Sequence, residues 1–417
     1  MAKPTLIFDA SIIAEGLHAA RGRSGIYFAA INILSELIKS DKFDISLYCD
    51  CSYSVDFVNF IHQNFGEIKI YFGNKYGIFL AKMEALNDKL KKSHHNILKL
   101  LLNVFVRKPV RFFGNFVSLP YFDIAFSPMR HFSKKIRADK KYIILYDTIS
   151  ILFPEYYPQY QSKKYWFYNL VQYIKTKPKC KYFAISQHTK DDFVKLLDMD
   201  ADDVAVMLLA AGDNFYQERD KTKINNVRKK YGIPDGKKYI FSLCTLEPRK
   251  NLIRAVKTFI EFIKKNKIDN MVFVLGGAHW DEFISKLESE IQDLGKYRDK
   301  IIRAGYIADQ DLAALYSGAQ WFVYTSQYEG FGLPPLEAMK CGTPVITSNN
   351  SSLPEVIGDA GIMIDWDSDE QHIAAYEKYY MDEKYRSLMA KKGLARSKQF
   401  SWKNTVDVII DSINKGL

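Results

Sequence analysis

Short apolar runs separated by polar stretches recur along the whole chain. The first is Thr5 to Phe8, ending at Asp9. Others follow at Ile45 to Cys49, Ile68 to Phe72, Ile124 to Phe126, Tyr142 to Tyr146 and Tyr182 to Ile185. They have the length of strands buried on both faces, and helical patterns separate most of them, as from about Ile26 to Ile38. A polar stretch, Asn214 to Lys238, contains the turn Pro234-Asp235-Gly236. A second series then begins: Tyr239 to Leu243, Met271 to Leu275, Ile301 to Ala304, Trp321 to Tyr324, Pro344 to Thr347 and Gly361 to Ile364. A last helix is predicted from Trp402 to Leu417. Such alternation implies parallel sheets with helices on both faces. The pattern therefore predicts an α/β protein of two tandem Rossmann-like, doubly wound domains. Residues 1–213 would form an N-terminal domain, 214–238 a linker region and 239–400 a C-terminal domain. Residues 401–417 would form a C-terminal helix able to pack back on the first domain. Ligands of open parallel sheets bind at the carboxyl ends of the strands, and two such domains enclose a cleft.

Composition narrows the function classes. A chain of 417 residues with 47% hydrophobic, 26% charged and 14% aromatic residues is not disordered. It lacks an apolar window of about 18 residues; the nearest, Ile97 to Val106, is broken by Lys99 and Asn103. Asp9 falls where a secretory leader would still be apolar, so no signal peptide is expected. Cys49, Cys51, Cys180, Cys244 and Cys341 are too scattered for a disulfide scaffold or zinc cluster, and suit reduced cytosol. Walker A, Gly-x-Gly-x-x-Gly after the first strand and His-Glu-x-x-His are all absent, which removes the usual anchors of ATP, NAD and zinc chemistry.

The net charge of +11 is confined to one segment. Between Lys75 and Lys141 stand 15 Lys+Arg against 4 Asp+Glu, so the rest of the chain is neutral. Ile97, Leu101 and Phe105 recur at helical spacing there, as do Leu98, Leu102 and Val106. The segment reads either as a solvated helix face or as an amphipathic basic helix on an anionic membrane. The second reading makes the protein peripheral on the cytoplasmic side of a membrane. No RNP-like, helix-turn-helix or zinc-finger pattern accompanies the charge, so nucleic acid is not expected as a partner.

The richest loop follows Trp321 to Tyr324. It runs from Thr325 through Glu329-Gly330-Phe331-Gly332-Leu333-Pro334-Pro335-Leu336 to Glu337-Ala338-Met339. Its glycines permit close backbone approach and its prolines mark a first helical turn, which together make an anion site of backbone N–H groups. Carboxylates beside such a cradle would repel a diphosphate unless they bind hydroxyls, which a sugar nucleotide supplies.

This string, continued by Cys341-Gly342-Thr343-Pro344-Val345, resembles the signature of family-4 nucleotide-sugar-dependent glycosyltransferases of GT-B fold. The similarity continues through Ser352-Leu353-Pro354-Glu355-Val356, Gly358-Asp359-Ala360-Gly361 and Phe400-Ser401-Trp402. It reaches back through Leu246-Glu247-Pro248-Arg249-Lys250-Asn251-Leu252 and Gly305-Tyr306-Ile307. In the first half only Asp147, Phe153-Pro154-Glu155, Ser186 and Gly212-Asp213 keep the spacing. The resemblance implies a retaining hexosyl transfer without metal, cofactor or protein nucleophile, to a glycan or lipid-linked glycan of surface polysaccharide. GDP-mannose is slightly favoured as donor over UDP- or other sugars. Glu337 would hold the ribose, Glu329 the donor sugar, and the amides of Gly330, Phe331, Gly332 and Leu333 the diphosphate. Lys250 and Arg249 would stabilise the leaving group, and Tyr306 and Ile307 would flank the base.

Two departures stand out. Cys244 and Thr245 occupy places where the family usually has Gly-Arg, with Arg249 as the replacement charge. Tyr146-Asp147 stands where many members have His-Asp at the donor sugar. Gly25 resembles the family's first glycine loop. Asp365-Trp366-Asp367 imitates a metal-binding Asp-x-Asp, but after a complete donor signature no metal is expected there, and His94-His95 reads as surface. A nucleotide-sugar epimerase of the same architecture, or a non-catalytic sugar-nucleotide-binding protein, are the alternatives.

Overall fold

The computed structural model describes residues 2–18, 25–50, 55–73, 117–277 and 281–416. Seven strands form the first sheet: β1 (Thr5–Asp9), β2 (Asp44–Cys49), β3 (Lys69–Phe72), β4 (Tyr121–Ser127), β5 (Arg137–Leu145), β6 (Lys181–Ala184) and β7 (Val204–Val206). Their order is β3-β2-β1-β4-β5-β6-β7. Six form the second: β8 (Lys238–Leu243), β9 (Met271–Gly276), β10 (Ile301–Gly305), β11 (Phe322–Tyr324), β12 (Val345–Ser348) and β13 (Ile362–Ile364), in the order β10-β9-β8-β11-β12-β13. Every pairing is parallel. The chain direction across each sheet reverses between β1 and β4 and between β8 and β11, the switch points at which such sheets bind ligands. Leu6, Ile7 and Phe8, and all of Met271 to Leu275, are buried, because helices cover both faces. That is why these strands read as apolar runs rather than as alternation. The two sheets and their helices form the GT-B architecture expected from the resemblance.

Two elements differ from expectation. Strand β7 was not predicted, since Val204-Ala205-Val206 is three residues long and follows Asp202-Asp203. The stretch read as a linker holds a helix, Lys221–Lys230, capped by the Asp220 side chain accepting from the Thr222 N–H at 2.8 Å. That helix packs on the helix Asp309–Gly318 of the second half. Lys230 donates to Asp311 at 2.6 Å and the Tyr231 hydroxyl donates to the same carboxylate at 2.8 Å. Only Val227 of the helix is buried, so it shows no apolar stripe that a sequence pattern could reveal.

The helix Trp402–Lys415 crosses back to the first half and packs on the helix Gly25–Ser40. The Thr405 hydroxyl donates to the Leu208 carbonyl at 2.6 Å, and Lys140 donates to the Ile413 carbonyl at 3.2 Å. Among the described residues no helix is long and apolar enough to cross a membrane. Most of the basic segment, including Lys89, Lys91, Lys92, His94, His95 and the apolar positions between Ile97 and Val106, lies outside the described residues.

The docking of Lys221–Lys230 generates a first prediction. Asp311→Ala removes the acceptor of the buried end of the Tyr231 hydroxyl and should destabilise the protein by about 1–3 kcal/mol in urea unfolding. An unchanged midpoint would mean that apolar contact alone holds this helix.

Candidate active site

The loop after β8 runs through Cys244 and the exposed Thr245 into a single tight turn, Pro248–Lys250. Asn251 ends the turn in the left-handed region, with φ of 58°, and starts the helix Leu252–Lys265. Asparagine is one of the few side chains that adopts this conformation readily. Its amide donates to the Trp366 carbonyl at 2.5 Å, which fixes the turn against the loop after β13. The turn therefore aims Arg249 and Lys250 together across the switch point toward the loop after β11.

Both cations meet one carboxylate there. Lys250 Nζ lies 2.6 Å and Arg249 Nη1 2.9 Å from Glu329 Oε1. Arg249 is 5% exposed. Its remaining donors reach Glu247 at 2.6 Å, the Tyr157 hydroxyl at 3.0 Å and the Tyr328 carbonyl. Lys250 also donates to the Tyr324 hydroxyl at 2.8 Å. Burial acts to raise the Glu329 pKa, but the Arg249 and Lys250 charges overcome it and hold the carboxyl at about 2. Glu329 is therefore ionised at any working pH. Two carboxylates thus balance two cations, and a diphosphate entering the cleft would take over Lys250 from Glu329.

The glycine loop is clamped from behind. Ser352 donates to the Glu329 and Phe331 carbonyls at 2.8 and 2.6 Å, and the Glu329 N–H donates to the Ser351 hydroxyl at 2.9 Å. Gly332 has φ of 123°, a conformation that only glycine adopts without strain. The helix Leu333–Lys340 begins immediately after it, so its first N–H groups open toward the loop. Phe331 is buried edge-to-face on Phe400, so only its main chain is available to a ligand. Glu337 is half-buried in this helix and accepts from the Tyr316 hydroxyl at 3.0 Å. Burial raises its pKa to about 7 against that hydrogen bond.

The first half closes the site. A side chain at Gly330 would collide with the Tyr146 carbonyl oxygen and lie 2.9 Å from Asp147 Cβ, so the absence of one lets the two halves touch. Ser186 and Thr189 donate to the Gly330 carbonyl at 2.8 and 3.0 Å. Gly25, at the start of its helix, leaves room for Leu333. Asp147 accepts from the Ile149 N–H at 3.1 Å; burial raises its pKa and the Arg249 charge opposes this. Glu355 of the second half accepts from the Gln187 and His188 N–H groups, both at 2.7 Å, at the start of the helix Gln187–Leu197.

Most of the expected residues therefore converge: Arg249, Lys250, Glu329, Gly330, Tyr146, Asp147, Gly25 and Leu333. Three placements refine the expectation. Tyr146 points into the core, 7% exposed, and its hydroxyl has no partner among the described residues. Ile307 is buried against Gly276, leaving Tyr306, 71% exposed, as the side chain presented by that loop. Asp365 and Asp367 are exposed, and Asp365 is occupied by the Gln371 amide at 2.8 Å. Sequence reasoning gave no role to Glu247, Tyr157, Tyr324 or Tyr328. Glu247 could have been suspected as the partner of an adjacent buried arginine. The tyrosines carry no such signal, because the hydroxyls of Tyr157 and Tyr324 and the carbonyl of Tyr328 enter the site only through folding.

Comparison with known proteins bears on the fold and on the second half of the chain. Residues 223–396 match the family of glycosyl transferases group 1. O-antigen chain mannosyltransferase B of Escherichia coli is 32% identical over 229 residues, 55% of this chain and 59% of that protein. The serotype-specific mannosyltransferase WbdA of Escherichia coli is 32% identical over 234 residues, 56% of this chain but 28% of that protein. The chain thus spans less than two thirds of the length of these curated relatives. Anabaena Alr3699/HepE, solved in complex with UDP and glucose, superimposes with a TM-score of 0.67 at 15% identity, over 99% of this chain and 100% of that one. The fold is shared along the full length, and the similarity to group 1 glycosyl transferases lies in residues 223–396.

Proposed function

We propose that the protein is a glycosyltransferase that moves a hexose from a nucleotide sugar to a glycan or lipid-linked glycan acceptor in surface polysaccharide biosynthesis. One observation carries this reading: Glu329 is held by both Lys250 and Arg249 at the switch point of the second sheet, beside a glycine docked on Tyr146 and Asp147. Breaking the bond between the sugar and its diphosphate builds negative charge on the leaving oxygen. A preorganised Lys/Arg pair in a water-poor site stabilises that charge where it develops. The helix start after Gly332 would receive the diphosphate, and Glu337 would accept from the ribose hydroxyls. Glu329, released from Lys250, would accept from a hydroxyl of the transferred hexose. The acceptor hydroxyl would attack from the face that the leaving group vacates, passing its proton to the departing phosphate oxygen and retaining the anomeric configuration. Tyr146 would support the site through its main chain, which lies against Gly330, because its side chain is turned into the core. The mannosyltransferase relatives support mannose as the transferred hexose, in line with GDP-mannose as the favoured donor. The basic segment supports a peripheral position on the cytoplasmic face of a membrane.

Incubation with radiolabelled GDP-mannose and UDP-sugars, with and without membranes, tests the reading. Label should move into a glycan or lipid-linked product. An isomerised nucleotide sugar, or binding without product, would overturn it in favour of an epimerase or a binding protein.

Three expected outcomes follow from the residue roles. The raised Glu337 pKa means that the folded protein binds this proton more tightly than the unfolded chain. Its contribution to stability is full below about pH 4.5 and is lost as pH rises through about 7. Ribose hydroxyls need the ionised form, so the proton competes with the nucleotide. Affinity for GDP-mannose or UDP-glucose, whose diphosphate does not titrate in this range, should fall about three- to tenfold from pH 8 to pH 6. Glu337→Gln should abolish that slope in calorimetric titrations.

Lys250→Ala should lower turnover about 10²–10³-fold with little loss of stability. Arg249→Ala should in addition destabilise the fold by about 3–5 kcal/mol, because Glu247 would be left buried without its partner and Glu329 with Lys250 alone. Activity should persist in EDTA; strict dependence on added manganese would redirect attention to Asp365 and Asp367.

Charge reversal at Lys89, Lys91, Lys92 and Lys99 should release the protein from anionic liposomes at low salt and leave nucleotide-sugar affinity unchanged. Each basic residue near such a surface is worth about 1 kcal/mol. Wild-type protein that ignores these liposomes would make the segment a solvated face.

A further inference from the structure

Between β5 and the helix Trp166–Lys175 the chain carries a dense group of aromatic residues that the transfer chemistry does not use. Phe153 and Tyr156 stack in parallel, with centroids 5.9 Å apart and planes 1° apart. Tyr157 and Tyr160 meet at 5.9 Å, and Tyr160 and Tyr165 at 5.1 Å. The second half contributes Tyr328, edge-on to Phe153 at 6.1 Å. Tyr157 and Tyr328 are buried beneath the group, whereas Phe153, Tyr156 and Tyr160 are only half-buried and Tyr165 is exposed. The rings therefore form a surface with a solid floor and an accessible face.

This surface adjoins the reaction centre. The Tyr157 hydroxyl accepts from Arg249 Nε at 3.0 Å, so one ring of the group touches the guanidinium that also holds Glu329. Tyr160 lies close enough to Asp147 and Glu247 for both charges to act on its phenol, after burial. Tyr328 belongs to the loop that carries Glu329. A ring-shaped ligand resting here would have one edge at the cleft and the other in solvent.

We propose that this aromatic surface is the acceptor subsite and that it holds a pyranose ring of the acceptor glycan; the proposal rests on the glycosyltransferase reading above. The chemistry of the surface selects the occupant. One face of a pyranose presents C–H bonds, which carry partial positive charge and suit the negative face of an aromatic ring. Its rim presents hydroxyls, which suit tyrosine hydroxyls at the edge of the same surface. A lipid chain has no use for those hydroxyls. Continuity with Arg249 makes the bound ring the one nearest the transferred sugar. Because Tyr328 comes from the other half of the molecule, the subsite is complete only when the two halves are in contact.

The test uses the full chain and a panel of methyl α-glycosides and disaccharides of mannose, glucose, galactose, rhamnose and N-acetylglucosamine, followed by saturation-transfer NMR and calorimetry. Wild type should bind at least one of them with contacts to aromatic protons. Tyr156→Leu and Tyr160→Leu, which keep apolar volume but lose the flat face, should weaken that sugar at least tenfold. Tyr156→Phe should retain binding within about threefold. Affinity for GDP-mannose or UDP-glucose should stay within twofold of wild type in all three, and thermal melting checks the fold of each variant. Three results would overturn the proposal: equal sugar affinity in the leucine variants, no binding of any panel member by wild type, or a leucine-sensitive site that takes undecaprenyl phosphate instead. Loss of nucleotide-sugar binding by wild type would instead overturn the glycosyltransferase reading, while the sugar titrations still report on the aromatic surface.

Discussion

The burial of one guanidinium organises the site. Arg249 sits at 5% exposure and must find partners for a planar fork of five N–H donors or bear a large desolvation cost. It finds them in Glu247 on its own turn, Glu329 and Tyr328 on the neighbouring loop, and Tyr157 in the other half of the molecule. Its main chain contributes as well, since the Arg249 carbonyl accepts from the Gln327 N–H at 2.9 Å and from the Ser326 hydroxyl at 3.2 Å. The loops after β8 and β11 are thereby held in one relation to each other. Lys250 then reaches Glu329 without choosing among rotamers in open solvent.

Two glutamates eight positions apart end in opposite states because their surroundings differ. Glu329 is buried between two cations and stays ionised; Glu337 is shielded by the helix and Tyr316, with no cation paired to it among the described residues, and titrates near neutrality. The first suits a carboxylate that must remain an acceptor while it exchanges Lys250 for a sugar hydroxyl. The second is poised to lose its proton when a ligand offers hydroxyl donors. Both tasks come from a single strand-to-helix loop.

Much of the contact between the two halves at the cleft is polar. Glu355 satisfies two N–H groups at the start of the helix Gln187–Leu197, where the helix dipole also favours its charge. Ser186 and Thr189 hold the Gly330 carbonyl, and Tyr328 bonds to Asp192. Water can replace each of these partners, so the halves can part there at modest cost. The crossing of Trp402–Lys415 onto the first half supplies an apolar tie that persists away from the cleft.

The sequence alone was enough to define the architecture, because strands buried on both faces must be apolar runs and crossovers between parallel strands must be helical. Twelve runs read as strands lie within the thirteen that form, with ends displaced by a few residues. It also singled out Glu329, Glu337 and the glycines, because carboxylates beside a glycine-rich turn and backbone freedom are costly features, whereas Arg249 and Lys250 were singled out through the family resemblance. Position in space was another matter. Nothing in the one-dimensional pattern could show that Phe331 and Ile307 turn inward, since an apolar side chain in a loop looks the same whether it faces a ligand or the core. The helix Lys221–Lys230 was invisible because its docking rests on Asp311 and Tyr231 rather than on an apolar stripe. Tyr324 and Tyr328 reach Lys250 and Arg249 from within the second half, through a hydroxyl and a carbonyl, whereas Tyr157 joins Arg249 only because the two halves are in contact. Local pattern records which residues a strand or turn requires; which distant hydroxyl completes a buried charge is decided by packing.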